Sequence, residues 1–182
     1  MARLHLIRHG QAAAGWDVDP DPGLDDLGRA QAAAAAATMA PLGPMPLLCS
    51  PLRRTRETAA PLAQAWGVAP RIELRVGEIQ SPTDDLVERG AWLRAALAGS
   101  WADLGPEHHV WRDELLACLG ELEQETTVVT HFVAINAVLG AALDDDRLVV
   151  RSVANASTTV VDHQGDRIVL VREPGEAPTT VL

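Results

Sequence analysis

Short apolar runs alternate with longer helical patterns along most of the chain, and the pattern changes near its end. Residues 3–7 are mostly apolar and are stopped by Gly10, which predicts a buried first strand. Residues 11–24 are rich in Gly, Asp and Pro and predict a loop. Asp25 can cap the helix that follows, because its carboxylate can accept N–H groups of a first turn. Residues 27–40 are Ala-rich, which favours helix, until Pro41, Gly43, Pro44 and Pro46 end it. Residues 47–50 predict a second strand. Pro51 stands where a first helical turn tolerates proline, and residues 52–66 predict helix. Residues 71–76 alternate polar and apolar and predict a third strand. Residues 84–97 and 107–123 predict two helices, 126–130 a strand and 134–143 a helix. The tail is β-rich at 148–153, 158–162 and 167–172, the last two flanking a Gln164-Gly165-Asp166 turn.

This order predicts an α/β fold built as a three-layer sandwich. A mostly parallel sheet carries helices on both faces, and a C-terminal hairpin adds an antiparallel edge. The 182 residues suit one domain, 1–182, with no internal repeat and no linker. Aromatic residues are few, so Ala, Leu and Val must do most of the packing. The formal net charge of −10 argues against nucleic acid and anionic membranes as partners, since both need a basic face. A small anionic substrate stays open, because local arginines can outweigh the global sign. Cys49 and Cys118 are too few for a disulfide framework and read as reduced thiols of a cytoplasmic protein. No stretch is long and apolar enough to span a bilayer. His5 and Arg8 fall where a signal peptide needs its apolar stretch, so the N-terminal segment is expected to be retained.

Ligands of such sheets bind at the carboxyl ends of the strands. Three segments deliver reactive side chains there: Arg8-His9-Gly10, Ser50-Pro51-Leu52-Arg53-Arg54, and Thr130-His131. Together they make a phosphate site with a nucleophile in it. Guanidinium forks match phosphate oxygens in pairs. A neutral imidazole is a competent nucleophile near pH 7. Gly10 lets the backbone bend and approach an anion, and the N-terminus of the helix after Leu52 favours anions too.

The sequence here resembles the histidine phosphatase superfamily (phosphoglycerate-mutase-like). Its N-terminal signature is matched by Leu6-Ile7-Arg8-His9-Gly10. A Leu-Thr-x-x-Gly-x-x-Gln-Ala stretch is matched by Leu24-Asp25-Asp26-Leu27-Gly28-Arg29-Ala30-Gln31-Ala32, with Asp in place of Thr as the cap. Ser50-Pro51-Leu52-Arg53-Arg54-Thr55-Arg56-Glu57-Thr58-Ala59 matches the next element. Val128-Val129-Thr130-His131-Phe132 carries the second histidine, and Asn155-Ala156-Ser157-Thr158-Thr159 is similar to a later segment. The resemblance implies a metal-independent phosphatase without cofactor that hydrolyses phosphomonoesters through a phosphohistidine on His9. Arg8, Arg54 and His131 would hold the phosphoryl oxygens beside Gly10 and stabilise the transition state. Glu78, after the third strand, would be the general acid, with Asp84 and Asp85 as alternatives. Residues 80–127 would form a helical insert or lid, short beside that of larger members. Glu78-Ile79-Gln80-Ser81-Pro82 lacks the glycine that often follows the acid, and Trp16-Asp17 stands where mutases often carry Trp-Asn. Both the short insert and Asp17 favour a phosphatase over a mutase. The implied partner is a phosphorylated small molecule or a phosphoprotein. A phosphohistidine protein phosphatase, a phosphoglycerate-type mutase and an inactive phospho-ligand binder are the alternatives.

Other conspicuous residues have plainer readings. Arg53 and Arg56 suit a solvated helix face, although either could touch substrate. His5 shares the strand parity of Ile7 and His9 and suits a near-core position. His108-His109 lacks a third ligand at useful spacing and suits a helix start. Cys49 suits a small buried thiol, and Trp66, Trp92, Trp101 and Trp111 suit core or lid packing.

Overall fold

The structure is a computed structural model that describes residues 1–15, 17–165 and 167–175. Its strands are β1 (Ala2–Arg8), β2 (Leu47–Cys49), β3 (Arg71–Ile72), β4 (Thr126–Thr130), β5 (Thr158–Gln164) and β6 (Arg167–Arg172). Its α-helices are α1 (Asp26–Met39), α2 (Arg53–Trp66), α3 (Leu86–Leu97), α4 (Pro106–Gly120) and α5 (Phe132–Leu143). The sheet runs β3-β2-β4-β1-β5-β6. The β3/β2, β2/β4 and β4/β1 pairs are parallel, whereas β5 and β6 add the antiparallel edge.

Strand parity splits the core into two. Leu4 and Leu6 of β1, Leu48 of β2, Val128 of β4 and Val161 of β5 pack with α4 and α5. Ile7, Leu47, Cys49 and Val129 point the other way and pack with Ala36 and Met39 of α1 and Ala59, Leu62 and Trp66 of α2. Such strands are apolar on both faces, as a sheet covered by helices on each side requires. The buried Trp101 lies under Trp111, the rings 6.0 Å apart and 19° from parallel. Among the described residues, no helix is long and apolar enough to cross a membrane.

The helix signals act as their chemistry requires. Asp25 caps α1 by accepting from the Gly28 N–H at 2.6 Å. Gly67 closes α2 at φ 67°, a left-handed conformation that glycine adopts without strain.

Several expectations need correction. Pro51 lies outside α2, before its N-cap Leu52. The third strand is only Arg71–Ile72, because β2 offers three residues to pair with; Leu74–Val76 curls into a 3₁₀ turn that Glu73 caps. Residues 148–153 form no strand; the Leu148 N–H donates to the Gly99 carbonyl at 3.1 Å, and a side chain takes N–H groups further on. The Asn136 Oδ1 accepts from the Val150 and Arg151 N–H groups, both at 2.8 Å. In the expected turn after β5, Gly165 sits at φ 64°, while Asp166 lies outside the described residues.

Candidate active site

Parallel register places the reactive residues. Ile7 pairs with Val129, which pairs with Cys49, so the three strands end level. The last paired residues, Arg8 and Thr130, and those just beyond the strands, His9, His131 and Ser50, therefore emerge side by side at one end of the sheet. The backbone ties these tips together: the His9 N–H donates to the Thr130 carbonyl at 3.0 Å, and the Ser50 N–H to the Val129 carbonyl at 3.1 Å. Asn155 fixes the β1 tip from the far side by donating to the His9 carbonyl at 3.1 Å.

His9 is 8% exposed. Its Nδ1 lies 2.7 Å from the Gly10 carbonyl. A carbonyl only accepts, so Nδ1 carries the proton and Nε2 keeps its lone pair. The Arg54 Nε donates to that Nε2 at 3.2 Å. Burial, then the Arg54 and Arg8 cations, push the His9 pKa well below its ordinary value, so the ring is neutral at physiological pH. The His131 ring is edge-on to His9, centroids 5.2 Å apart, and shares a 2.7 Å hydrogen bond with the Ser50 hydroxyl. Its pKa is likewise pushed well down, first by burial and then by Arg54, His9 and Arg8.

Arg8 and Arg54 are both buried. Arg8 donates to the Val153 carbonyl at 2.5 Å and stacks over Phe132, 4.9 Å from its centroid. Burial lowers its pKa to about 10 against the pull of Glu78. Arg54 is lowered by burial too, and feels Glu78, Asp21 and Arg89 around it. Glu78 lines a cleft of about 400 Å³ with Arg54, Arg89, Leu52, Leu74 and Trp111. Its carboxylate accepts from the Val133 N–H at 3.2 Å, at the N-terminus of α5, and from the Ile79 N–H at 3.1 Å. Burial raises its pKa, and these N–H groups with Arg54 and Arg8 hold it back. His9 and Glu78 thus shift in opposite directions, which favours a neutral base and a protonated acid together.

The remaining candidates fall as follows. Asp85 caps α3 by accepting from the Val87 and Glu88 N–H groups, each at 3.0 Å, while Asp84 lines the cleft rim. Arg53 is exposed and pairs with Glu57 at 2.7 Å. At Gly10 the absent side chain leaves room for Gly28, whose carbonyl would lie 2.5 Å from an added Cβ; the Gly10 N–H donates to Thr58 Oγ1 at 3.0 Å. The α2 N-terminus, expected to favour an anion, already holds one: the Arg53 N–H donates to the Asp21 carboxylate at 2.7 Å. His5 is buried and bonds Glu125 at 2.7 Å. Cys49 is buried, and burial pushes its thiol up to about 11. Among the described residues, no three His, Cys, Asp or Glu side chains gather to hold a metal; His108 stacks on Trp92 while His109 faces Trp101.

Sequence reasoning passed over Ser50 and Thr58, although both lie within the segment that carries Arg54. It had no signal for Arg89, whose approach to the cleft depends on how α3 packs.

Comparison with known proteins agrees with this fold. Residues 4–173 match the histidine phosphatase superfamily (branch 1). Glucosyl-3-phosphoglycerate phosphatase of Mycobacterium tuberculosis is 30% identical over 160 residues, which cover 81% of this chain and 68% of the relative. The probable phosphoglycerate mutase GpmB of Erwinia tasmaniensis is 29% identical over 90% of this chain and 86% of its own. A further relative, PE-PGRS family protein PE_PGRS11 of Mycobacterium tuberculosis, is 40% identical over 84 residues, 43% of this chain but only 14% of its own length. The structure of mycobacterial glucosyl-3-phosphoglycerate phosphatase with inorganic phosphate superposes with a TM-score of 0.71 at 25% identity, covering 99% of this chain and 100% of the other. With this fold, these strand-end motifs and a family match over nearly its whole length, the chain belongs to the histidine phosphatase superfamily (branch 1).

Proposed function

We propose that this chain is a phosphatase that hydrolyses small phosphomonoesters through a phosphohistidine on His9. The observation that carries the reading is the unprotonated Nε2 of a neutral His9, which accepts from Arg54 beside Arg8 and His131, with Arg54 and Glu78 together lining the adjoining cleft. Nε2 attacks phosphorus, the N–P bond forms, and the P–O bond to the leaving group breaks. Glu78 gives its proton to the departing oxygen. Water then attacks the phosphohistidine and passes a proton to Glu78. The N–P bond breaks, and inorganic phosphate leaves with His9 and Glu78 restored. Arg8, Arg54 and His131 act on the charge spread over the phosphoryl oxygens, where positioning and electrostatics do most of the catalysis.

The leaving group lies along the remainder of the cleft, against Leu74 and Trp111 and beside Arg89. That space suits a small phosphorylated molecule of the kind named for the mycobacterial relatives. The test is rapid quench into alkaline detergent with ³²P-labelled phenyl phosphate, which preserves a phosphoramidate. An acid-labile phosphoryl adduct should form on the wild-type chain within one turnover and be absent from His9→Ala, with kcat reduced by at least about 10³-fold. An adduct that persists in His9→Ala, or turnover within tenfold of wild type, would refute the assignment.

A further inference from the structure

The chemistry proposed above makes no use of His108, yet this imidazole is 5% exposed and held on several sides. It lies in the first turn of α4, and its ring stacks on Trp92 of α3, centroids 5.1 Å apart and 24° from parallel. Its Nε2 is 3.0 Å from the Gln80 carbonyl. A carbonyl only accepts, so Nε2 carries a proton and donates. Its Nδ1 makes no hydrogen bond; Glu107 lies 3.2 Å away, off the bonding direction. His108 therefore spends its directional contact on one backbone atom.

That atom belongs to the segment that presents Glu78. Gln80 is two residues beyond Glu78, and Ile79 between them is 1% exposed in the α4/α5 core. The carboxylate is fixed at one end by the Ile79 and Val133 N–H groups. His108 fixes the other end of the same short segment from α4. An acid whose carboxyl is displaced by about 1 Å loses much of its effect, because proton transfer needs hydrogen-bond reach.

We propose that His108 is a positioning residue for the general acid: its Nε2–H, held by the Trp92 stack, anchors Glu78–Gln80 so that the carboxyl faces the leaving oxygen. The inference rests on the reading of Glu78 as that acid. It has a signature that a purely structural role lacks. Acid catalysis matters for a poor leaving group and little for a good one, so loss of position shows on phenyl phosphate and not on 2,4-dinitrophenyl phosphate.

The experiment measures kcat/KM on both substrates for His108→Phe, which keeps a ring on Trp92 without the donor, and for His108→Gln, which restores an N–H. Glu78→Gln and the double variant Glu78→Gln with His108→Phe complete the set. His108→Phe should lose about tenfold on phenyl phosphate, a fraction of the roughly 10²–10⁴ that a positioned acid supplies, and less than about twofold on the dinitrophenyl ester. His108→Gln should recover to within about threefold, and His108→Phe should cost nothing further on phenyl phosphate in the Glu78→Gln background. Equal losses on both esters, no loss on either, or no recovery in a His108→Gln chain that melts like wild type would overturn the proposal. If His108→Phe does not fold, His108→Met removes the donor with less bulk and is read the same way. If Glu78→Gln itself treats the two esters alike, the acid role fails and the His108 proposal falls with it, which is distinct from a failure at His108 alone.

Discussion

Replacing Arg54 by methionine keeps an unbranched apolar stem and removes only the guanidinium. In the native chain Arg54 is 3% exposed, and its Nε donates to His9 Nε2 at 3.2 Å. The position is buried, so solvent screens its charge little, and the loss should resemble that of a preorganised donor in a water-poor site: about 10²–10³ in kcat, or roughly 2.7–4 kcal/mol. The pH profile should move as well. His9 works neutral, and its pKa is pushed down by burial first and by the Arg54 cation next. Without that cation the pKa rises toward its ordinary value, so the acid limb of kcat/KM moves to higher pH. In the proposed mechanism Glu78 starts the cycle protonated; burial raises its pKa, and Arg54 holds it back. Without Arg54 it rises further, so the alkaline limb also moves up. The whole bell should shift to higher pH in a p-nitrophenyl phosphate assay run across the acid and neutral range, with thermal melting to check the fold. A rate within threefold of wild type, or a bell that moves to lower pH, would refute the electrostatic reasoning.

Two further variants test how the frame holds the site. Gly28→Ala would place a Cβ 2.1 Å from the Gln11 carbonyl, a backbone atom that cannot swing aside; we expect a loss of about 1–3 kcal/mol, melting lower by about 2–4 °C per kcal/mol, and reduced kcat, because the displaced loop begins at His9. Melting and turnover that both match wild type would count against it. Asn136→Leu would leave the Val150 and Arg151 N–H groups without their acceptor, at about 1–3 kcal/mol each, and hydrogen exchange at residues 148–153 should quicken. Unchanged exchange there would show that other contacts hold this segment.

Much of the architecture was legible because its signals are local. The apolar run that became β1, the buried β4 and the Asp25-capped, Ala-rich α1 each carry their own instructions. The misreadings occurred where a partner, not the segment, decides. Residues 71–76 alternate like a strand but meet a three-residue neighbour: Arg71 and Ile72 pair with it, and the Glu73 N–H makes a last bond to the Cys49 carbonyl at 2.9 Å. Residues 148–153 are β-branched and apolar, yet Asn136 takes two of their N–H groups, and the Val153 carbonyl is spent on Arg8. At the site, His9, Arg54 and His131 were readable as residues that follow strands. The contacts of Ser50 with His131 and of Asn155 with His9 span 81 and 146 positions, and no local pattern announces a pairing at such separation. His108 was readable only as a helix-start histidine, since its contact with the Gln80 carbonyl spans 28 positions.

The cleft draws its two halves from different parts of the chain. The His9 ring and the groups around it stand on level strand tips, braced by backbone bonds across the sheet. The opposite wall comes from Leu74, Thr83, Arg89 and Trp111, which the sheet does not pair. A library confined to those four positions would therefore sample new leaving groups while the proposed reaction centre stays as it is, and improved variants should differ in which ester they prefer more than in how fast they cleave an activated one.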